Sequence, residues 1–378
     1  MGTHHHDEEE LEAQLADLAE RGDSDAAFDL ALHHQYEHED PETAARFYLV
    51  AAEAGDLNAP NNLAGIHRRA ERWEEAETWF RRGIAGGDDV AAVNLAGMLR
   101  HLGREEESRG LLEEATGRGH ADAMETLARR SFSAERWEDA ERWFRRTVEA
   151  EGDERPAAIT CVGVLLDMRD EPEEAEPWLR RALDLGDAHA AYHLGLIARR
   201  RGDTDEAIRL LRQAVDELGD AESANQLGVT LNERDPQEAA ALYERAARDG
   251  HVVAARNLGW LLEEHDCDAA IPWFEQAAES GDRYAMTSLG LIRLDAGDAE
   301  AAEALWRRAA DAGEEVAMRN LGLLHGDRGD RQAEEAWLAR AAEAGDEQAA
   351  ELLAEVPKRY GDEQPARRGL LGRLPRPW

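Results

Sequence analysis

Ala254-Ala255-Arg256-Asn257-Leu258-Gly259, followed by Trp273-Phe274-Glu275-Gln276-Ala277-Ala278-Glu279-Ser280-Gly281-Asp282, is one unit of a pattern that runs almost the length of the chain. Outward from it, a glycine usually followed by Asp recurs at Gly22, Gly55, Gly87, Gly119, Gly152, Gly186, Gly219, Gly250, Gly281, Gly313 and Gly345. The spacing is 31 to 34 residues. Eight residues past most of these glycines stands an anchor leucine followed by a small residue, as in Leu63, Leu95, Leu194, Leu227, Leu258, Leu289 and Leu321. Eight or nine residues before the next glycine comes an aromatic or leucine pair, such as Trp79-Phe80, Trp143-Phe144, Trp273-Phe274 and Leu305-Trp306. Segments Ala70–Arg82 and Ala134–Arg146 are nearly identical and lie two periods apart, the mark of duplication.

Each period has room for two short helices. Ala, Leu, Glu and Arg dominate the chain, and all four favour helix. A glycine in the left-handed conformation ends the second helix, and the Asp after it caps the first helix of the next unit. Asp40-Pro41 and Asp235-Pro236 supply an N-cap and a proline in the first turn in the same way. Helices of about a dozen residues are marginal in water, so each must bury its apolar face on neighbours. Small residues such as Gly195, Gly228, Gly259, Gly290 and Gly322 allow close backbone approach, while the large pair fills the space between hairpins. These features predict an all-α, right-handed α-solenoid of about ten stacked hairpins.

The pattern A-x-x-L-G, then A-x-x-W-F-x-x-A-x-x-x-G-[DH]-x-x-A, resembles Sel1-like repeats, a branch of the tetratricopeptide-like superfamily. The resemblance covers roughly residues 14–355. A short loop between the two helices gives a period nearer that of a tetratricopeptide unit. The resemblance implies a non-enzymatic adaptor whose first helices, here called A helices, line a concave face that binds a peptide or protein. The alternatives are a metal-dependent or regulatory effector built on the repeat, or a scaffold autoinhibited by its own tail.

Composition narrows the partner. The formal net charge is -38, from 82 acidic and 44 basic residues. Such a field repels phosphate backbones and anionic membranes, so neither nucleic acid nor membrane is expected as partner. Cys161 and Cys267 fall in helices of different units, which predicts free thiols and a cytoplasmic setting. No stretch has the apolar length of a signal peptide or membrane span. Residues 1–10 form an acidic start, 11–356 the repeat solenoid, and 357–378 a tail rich in Pro and Arg with a net charge of +4. That tail, with Leu370, Leu371, Leu374 and Trp378, is read as a docking motif, an autoinhibitory peptide or a solvated end.

Candidate partner-binding residues lie on the A helices. The residue before the anchor leucine is usually polar, and Asn62, Asn94, Asn257 and Asn320 form a ladder that can hold a peptide main chain. The competing reading is that each amide bonds the neighbouring hairpin. Arg68, Arg100, Arg199, Arg256, Arg293 and Arg319 suit carboxylates. The competing reading for them is a solvated face paired with glutamates, and Arg256 and Arg319 are set apart because they share one repeat position. Trp79, Trp143, Trp178, Trp273 and Trp337 share a slot and are expected between hairpins, while Trp73 and Trp137 stand near the turn within a hairpin. His33, His34 and His38 have helical metal-ligand spacing, yet nothing completes a site, so no metal and no cofactor are expected. No phosphate loop or nucleophile elbow is found, which argues against an enzyme.

Overall fold

In the computed structural model, which describes residues 14–360, the Gly-Asp turns do both jobs expected of them. Gly281 has φ of 93° and ends one helix, and the Asp282 carboxylate accepts the Ala285 N–H of the next at 2.8 Å. Gly87 and Asp88 repeat this, with Asp88 accepting from Val90 at 2.9 Å. The described residues contain helices, turns and one short 3-10 segment, Gly152–Glu154, with no strand. The fold is an α-solenoid of stacked hairpins.

The chain divides into two compact units at Asp187 and Ala188. In the first, residues 14–20 are helical. A helices Ser24–Tyr36, Ala59–Arg69, Asp89–His101, Ala121–Ser133 and Pro156–Met168 then pair with B helices Pro41–Ala54, Trp73–Ala85, Glu105–Gly117, Trp137–Glu151 and Pro172–Asp184. In the second, Ala188–Arg200, Ala221–Leu231, Val252–Glu263, Arg283–Asp295 and Glu315–Asp327 pair with Thr204–Leu218, Pro236–Arg248, Cys267–Glu279, Ala299–Asp311 and Arg331–Glu343. A last helix, Glu347–Arg359, lies on the final hairpin.

Within each unit, the second member of every aromatic or leucine pair is core. Tyr48, Phe80, Leu112, Phe144, Leu179, Leu211, Tyr243, Phe274, Trp306 and Leu338 are all buried. The tryptophans in the first position are only half-buried. Consecutive residues on a helix point about 100° apart, so one member of a pair faces inward and its neighbour lies at the flank. There the indoles carry arginines: Arg340 sits 4.4 Å over Trp337, Arg146 4.7 Å over Trp143 and Arg82 5.0 Å over Trp79. The slot therefore straddles core and surface. Trp306, which holds the inward position, is fully buried.

The small residue after the anchor leucine is explained by what faces it. A Cβ on Gly290 would lie 2.3 Å from Trp306 Nε1, and one on Gly259 2.6 Å from the Phe274 ring. Such overlap forces the rings or the backbone to move. Gly290→Ala is expected to destabilise residues 188–360 by about 1–3 kcal/mol. Urea unfolding followed by circular dichroism checks this, and an unchanged midpoint would show that the packing yields freely.

The repeat helix also reaches past the boundary drawn at residue 357. Pro357 sits in the last turn of Glu347–Arg359, where only one backbone bond is lost to its missing N–H. Arg359 then pairs with Glu334 at 2.6 Å, and the Tyr360 hydroxyl donates to Glu334 at 3.0 Å. The carboxyl of Glu334 is fully buried, and burial pushes its pKa up. Readings that concern residues 1–10, and those for the tail from 361 to 378, lie outside the described residues. Among the described residues no helix is long and apolar enough to cross a membrane. Cys161 and Cys267 are both free thiols, the first pushed up to about 11 by burial.

Candidate functional site

Two positions on each A helix decide what its neighbours meet. In four units the residue two before the anchor position bonds an acid 26 or 27 residues further on. Thr160 donates to Asp187 at 2.6 Å, Thr287 donates to Glu314 at 3.0 Å, and Arg256 donates to Asp282 at 2.7 Å. Arg319 makes the same contact to Asp346. Asp282, Glu314 and Asp346 each cap the following helix, so in these units one hydrogen bond ties consecutive hairpins together.

Arg256 and Arg319, singled out as candidates for a partner, are thus engaged within the fold. Their shared position is an internal tie, and the Arg319–Asp346 pair is almost wholly buried, with side chains 7% and 4% exposed. Arg256 is further enclosed between the rings of Trp260 and Tyr284, at 4.9 and 5.2 Å. Arg293 pairs with Glu275 at 2.6 Å, and Arg100 reaches Glu105 only at 3.7 Å with most of its side chain exposed. The guanidiniums of Arg68 and Arg199 make no hydrogen bond or ion pair among the described residues.

The asparagine ladder resolves in the same way. Asn94 donates to Asn61 at 2.9 Å and Asn257 to Asn225 at 3.0 Å, each bridging one hairpin to the preceding one. Asn62 lies beside the Tyr48 hydroxyl, whose pKa burial pushes up to about 12. Asn320 is 1% exposed, and its amide has no hydrogen-bond partner. Two of the four ladder amides are thus engaged between hairpins and Asn320 is buried, while Asn257 combines its bridge with a place on a cavity wall.

That cavity, of about 830 Å³, lies within residues 188–360. Its walls come from the ends of A helices Ala188–Arg200, Ala221–Leu231 and Val252–Glu263, with Tyr243 and Pro236 from a B helix. Arg199, Asn257, Trp260, Val229 and Leu261 line it, with Glu233, Glu264 and His265 at its edge. Trp260 Nε1 donates to Ser288 at 3.0 Å, which fixes the indole plane. The half-buried Arg199 guanidinium lies near the phenols of Tyr192 and Tyr243, whose pKa values burial pushes upward.

Val229, Trp260 and Leu261 were not singled out by the sequence reading. A signal did exist: the position two past the anchor leucine is Leu196, Val229, Trp260, Leu291 and Leu323 in the second unit. In the first unit it includes Gly65, Gly97 and Arg129. A second cavity, of about 420 Å³, lies in that first unit against Arg68, Arg69, Trp73, Gly97, Met98 and His101. Trp73 and Trp137 pack at the turns as expected, 5.6 Å from His101 and 5.1 Å from Phe132 between ring centroids. His33 and His38 lie 4.6 Å apart and His34 stacks on Phe47. Among the described residues no group of three or more potential ligands is arranged to hold a metal.

Comparison with known proteins agrees with this geometry. The Sel1 repeat model matches residues 24–56, 221–251, 252–282, 284–314 and 316–346, and tetratricopeptide repeat models match 58–86 and 163–222. The structure of c5321, a protective antigen of uropathogenic Escherichia coli with an SLR fold, is 23% identical with a TM-score of 0.66, covering 94% of this chain and 84% of that one. A human IFIT1 dimer with m7Gppp-AAAA is 15% identical with a TM-score of 0.50, covering 93% and 94%. These likenesses concern the fold alone. No curated protein matches the sequence. With the duplicated period, the capped Gly-Asp turns and the hairpin-to-hairpin ties in place, the chain is a helical-repeat protein of the Sel1-like and tetratricopeptide type.

Proposed function

We propose that this protein is a non-enzymatic adaptor whose cavity in residues 188–360 holds a peptide segment of a protein partner. Proteins built from Sel1 and tetratricopeptide repeats are generally protein-interaction scaffolds. One observation supports placing the contact here: a half-buried guanidinium without an ion pair faces a hollow walled by an indole and aliphatic side chains. Most other arginines among the described residues are tied to carboxylates or carbonyls. A rigid wall of this kind orders little on binding, so modest contacts add up to useful affinity.

The reading is tested with peptides selected from a random library on the wild-type protein. Arg199→Ala and Val229→Asp are expected to weaken those peptides at least about tenfold, while thermal unfolding stays within about 1 °C because neither residue is core. Equal affinity for wild type and both variants would remove the site from consideration. The acidic field favours basic partner segments, whose association slows as salt is raised. A cytoplasmic setting and a protein partner are parts of the same proposal. A short capped RNA, the kind of ligand printed for the IFIT1 structure, serves as a control expected to bind weakly or not at all.

A further inference from the structure

The first unit contains the opposite kind of hollow. Most of its arginines are committed: Arg104 to Glu77 at 2.6 Å, Arg155 to Glu125 at 2.9 Å and Arg169 to Glu141 at 2.6 Å. Arg68 and Arg69 are not, although they end an A helix in a chain with 82 acidic residues. They border the 420 Å³ hollow between helices Ala59–Arg69 and Asp89–His101, and no carboxylate lines it. This volume lies within the usual range for small-ligand sites.

The rest of the lining fits a flat molecule. Trp73 forms one wall, held against His101 with ring centroids 5.6 Å apart and planes at 43°. Met98 is fully buried beneath it, and Gly97 leaves the floor open, since a Cβ there would meet nothing within 4 Å. Burial, and then the Arg72 guanidinium, hold the nearby His67 imidazole below its ordinary range against the opposing pull of Glu75.

We propose that this hollow is an oxyanion site for a small ligand carrying a phosphate or carboxylate on a flat aromatic body. It is separate from the peptide cavity of the second unit. Both arginines border the hollow, and each guanidinium presents a fork of N–H donors suited to an oxyanion, which an ammonium lacks. The indole supplies a face for the ring. The bland account is that Arg68 and Arg69 simply complement the negative end of their helix. Under that account no ligand is needed and none is bound.

Calorimetric titration of the full chain with inorganic phosphate, phenyl phosphate and benzoate separates the two. Saturable binding of at least one aryl oxyanion is expected, several-fold tighter than inorganic phosphate because of the ring contact. Phenyl phosphate binding more tightly than benzoate identifies a phosphate ligand, and the reverse order a carboxylate. The Arg68→Ala/Arg69→Ala double variant is expected to lose at least about tenfold in affinity. Trp73→Leu should remove only the advantage of the aryl ligands. A control in arginines that pair with carboxylates on their own helices, Arg109→Ala/Arg142→Ala, should bind like wild type. No saturable binding, binding that survives loss of Arg68 and Arg69, or an equal loss in the control would overturn the proposal. Arg68 and Arg69 are exposed, so the double variant should fold normally by circular dichroism, and Trp73→Leu provides an independent reading.

Discussion

Arg319→Ala is expected to destabilise residues 188–360 by about 3–5 kcal/mol, because it strips the partner from a buried carboxylate. Asp346 is 4% exposed at its side chain, caps the last helix through Ala349 at 2.8 Å, and takes its second contact from Arg319. Without the guanidinium, a charge remains inside with only its cap bonds. Hydrogen exchange should show the loss first in Glu315–Asp327 and Glu347–Arg359, the two helices the pair joins. Stability in repeat arrays is a sum of local and nearest-neighbour contributions, so the end unit should loosen before the rest. Arg319→Met combined with Asp346→Asn should recover most of the deficit, since no unpaired charge remains. Exchange protection unchanged in Arg319→Ala would show that the pair contributes little.

Trp306→Ala is expected to cost a similar amount, about 3–5 kcal/mol, for a different reason. The side chain is fully buried, packs under Gly290, and donates its indole N–H to the Thr287 carbonyl at 3.1 Å. Truncation leaves a cavity and a buried acceptor without its donor. Trp306→Phe retains most of the volume and should cost less, the remainder reflecting the lost hydrogen bond. Denaturant midpoints of the two variants against wild type measure both terms. If alanine and phenylalanine are equally mild, the neighbouring hairpins have closed over the gap. Arg199→Ala, by contrast, should leave these midpoints alone and change only binding.

The chain illustrates how a repeat position can carry one meaning in a string of letters and another in three dimensions. Arg256 and Arg319 looked special because they recur, and recurrence did reflect a shared role. The role is internal: both reach the cap of the next A helix, as Thr287 does with a shorter side chain. Asn94 and Asn257 likewise recur because each bridges to the preceding hairpin. Arg68 and Arg199 share a position near the end of their helices, and neither has an ionic partner among the described residues. Freedom from a partner cannot be read from a residue's own slot, because it depends on which carboxylate lies across the gap.

What followed from the sequence alone was everything governed by near neighbours along the chain. Left-handed glycines, Asp caps, helical periodicity and the glycine-to-ring packing lie within one period, so helix boundaries, the all-α class and the core pairs were legible before any coordinates. Which of two adjacent pair residues turns inward, and which polar groups neutralise one another between hairpins, depended on the tertiary structure. Those choices join side chains 26 to 33 residues apart, as in Arg256–Asp282 and Asn94–Asn61. They are set by helix rotation and stacking distance, quantities that no local preference encodes.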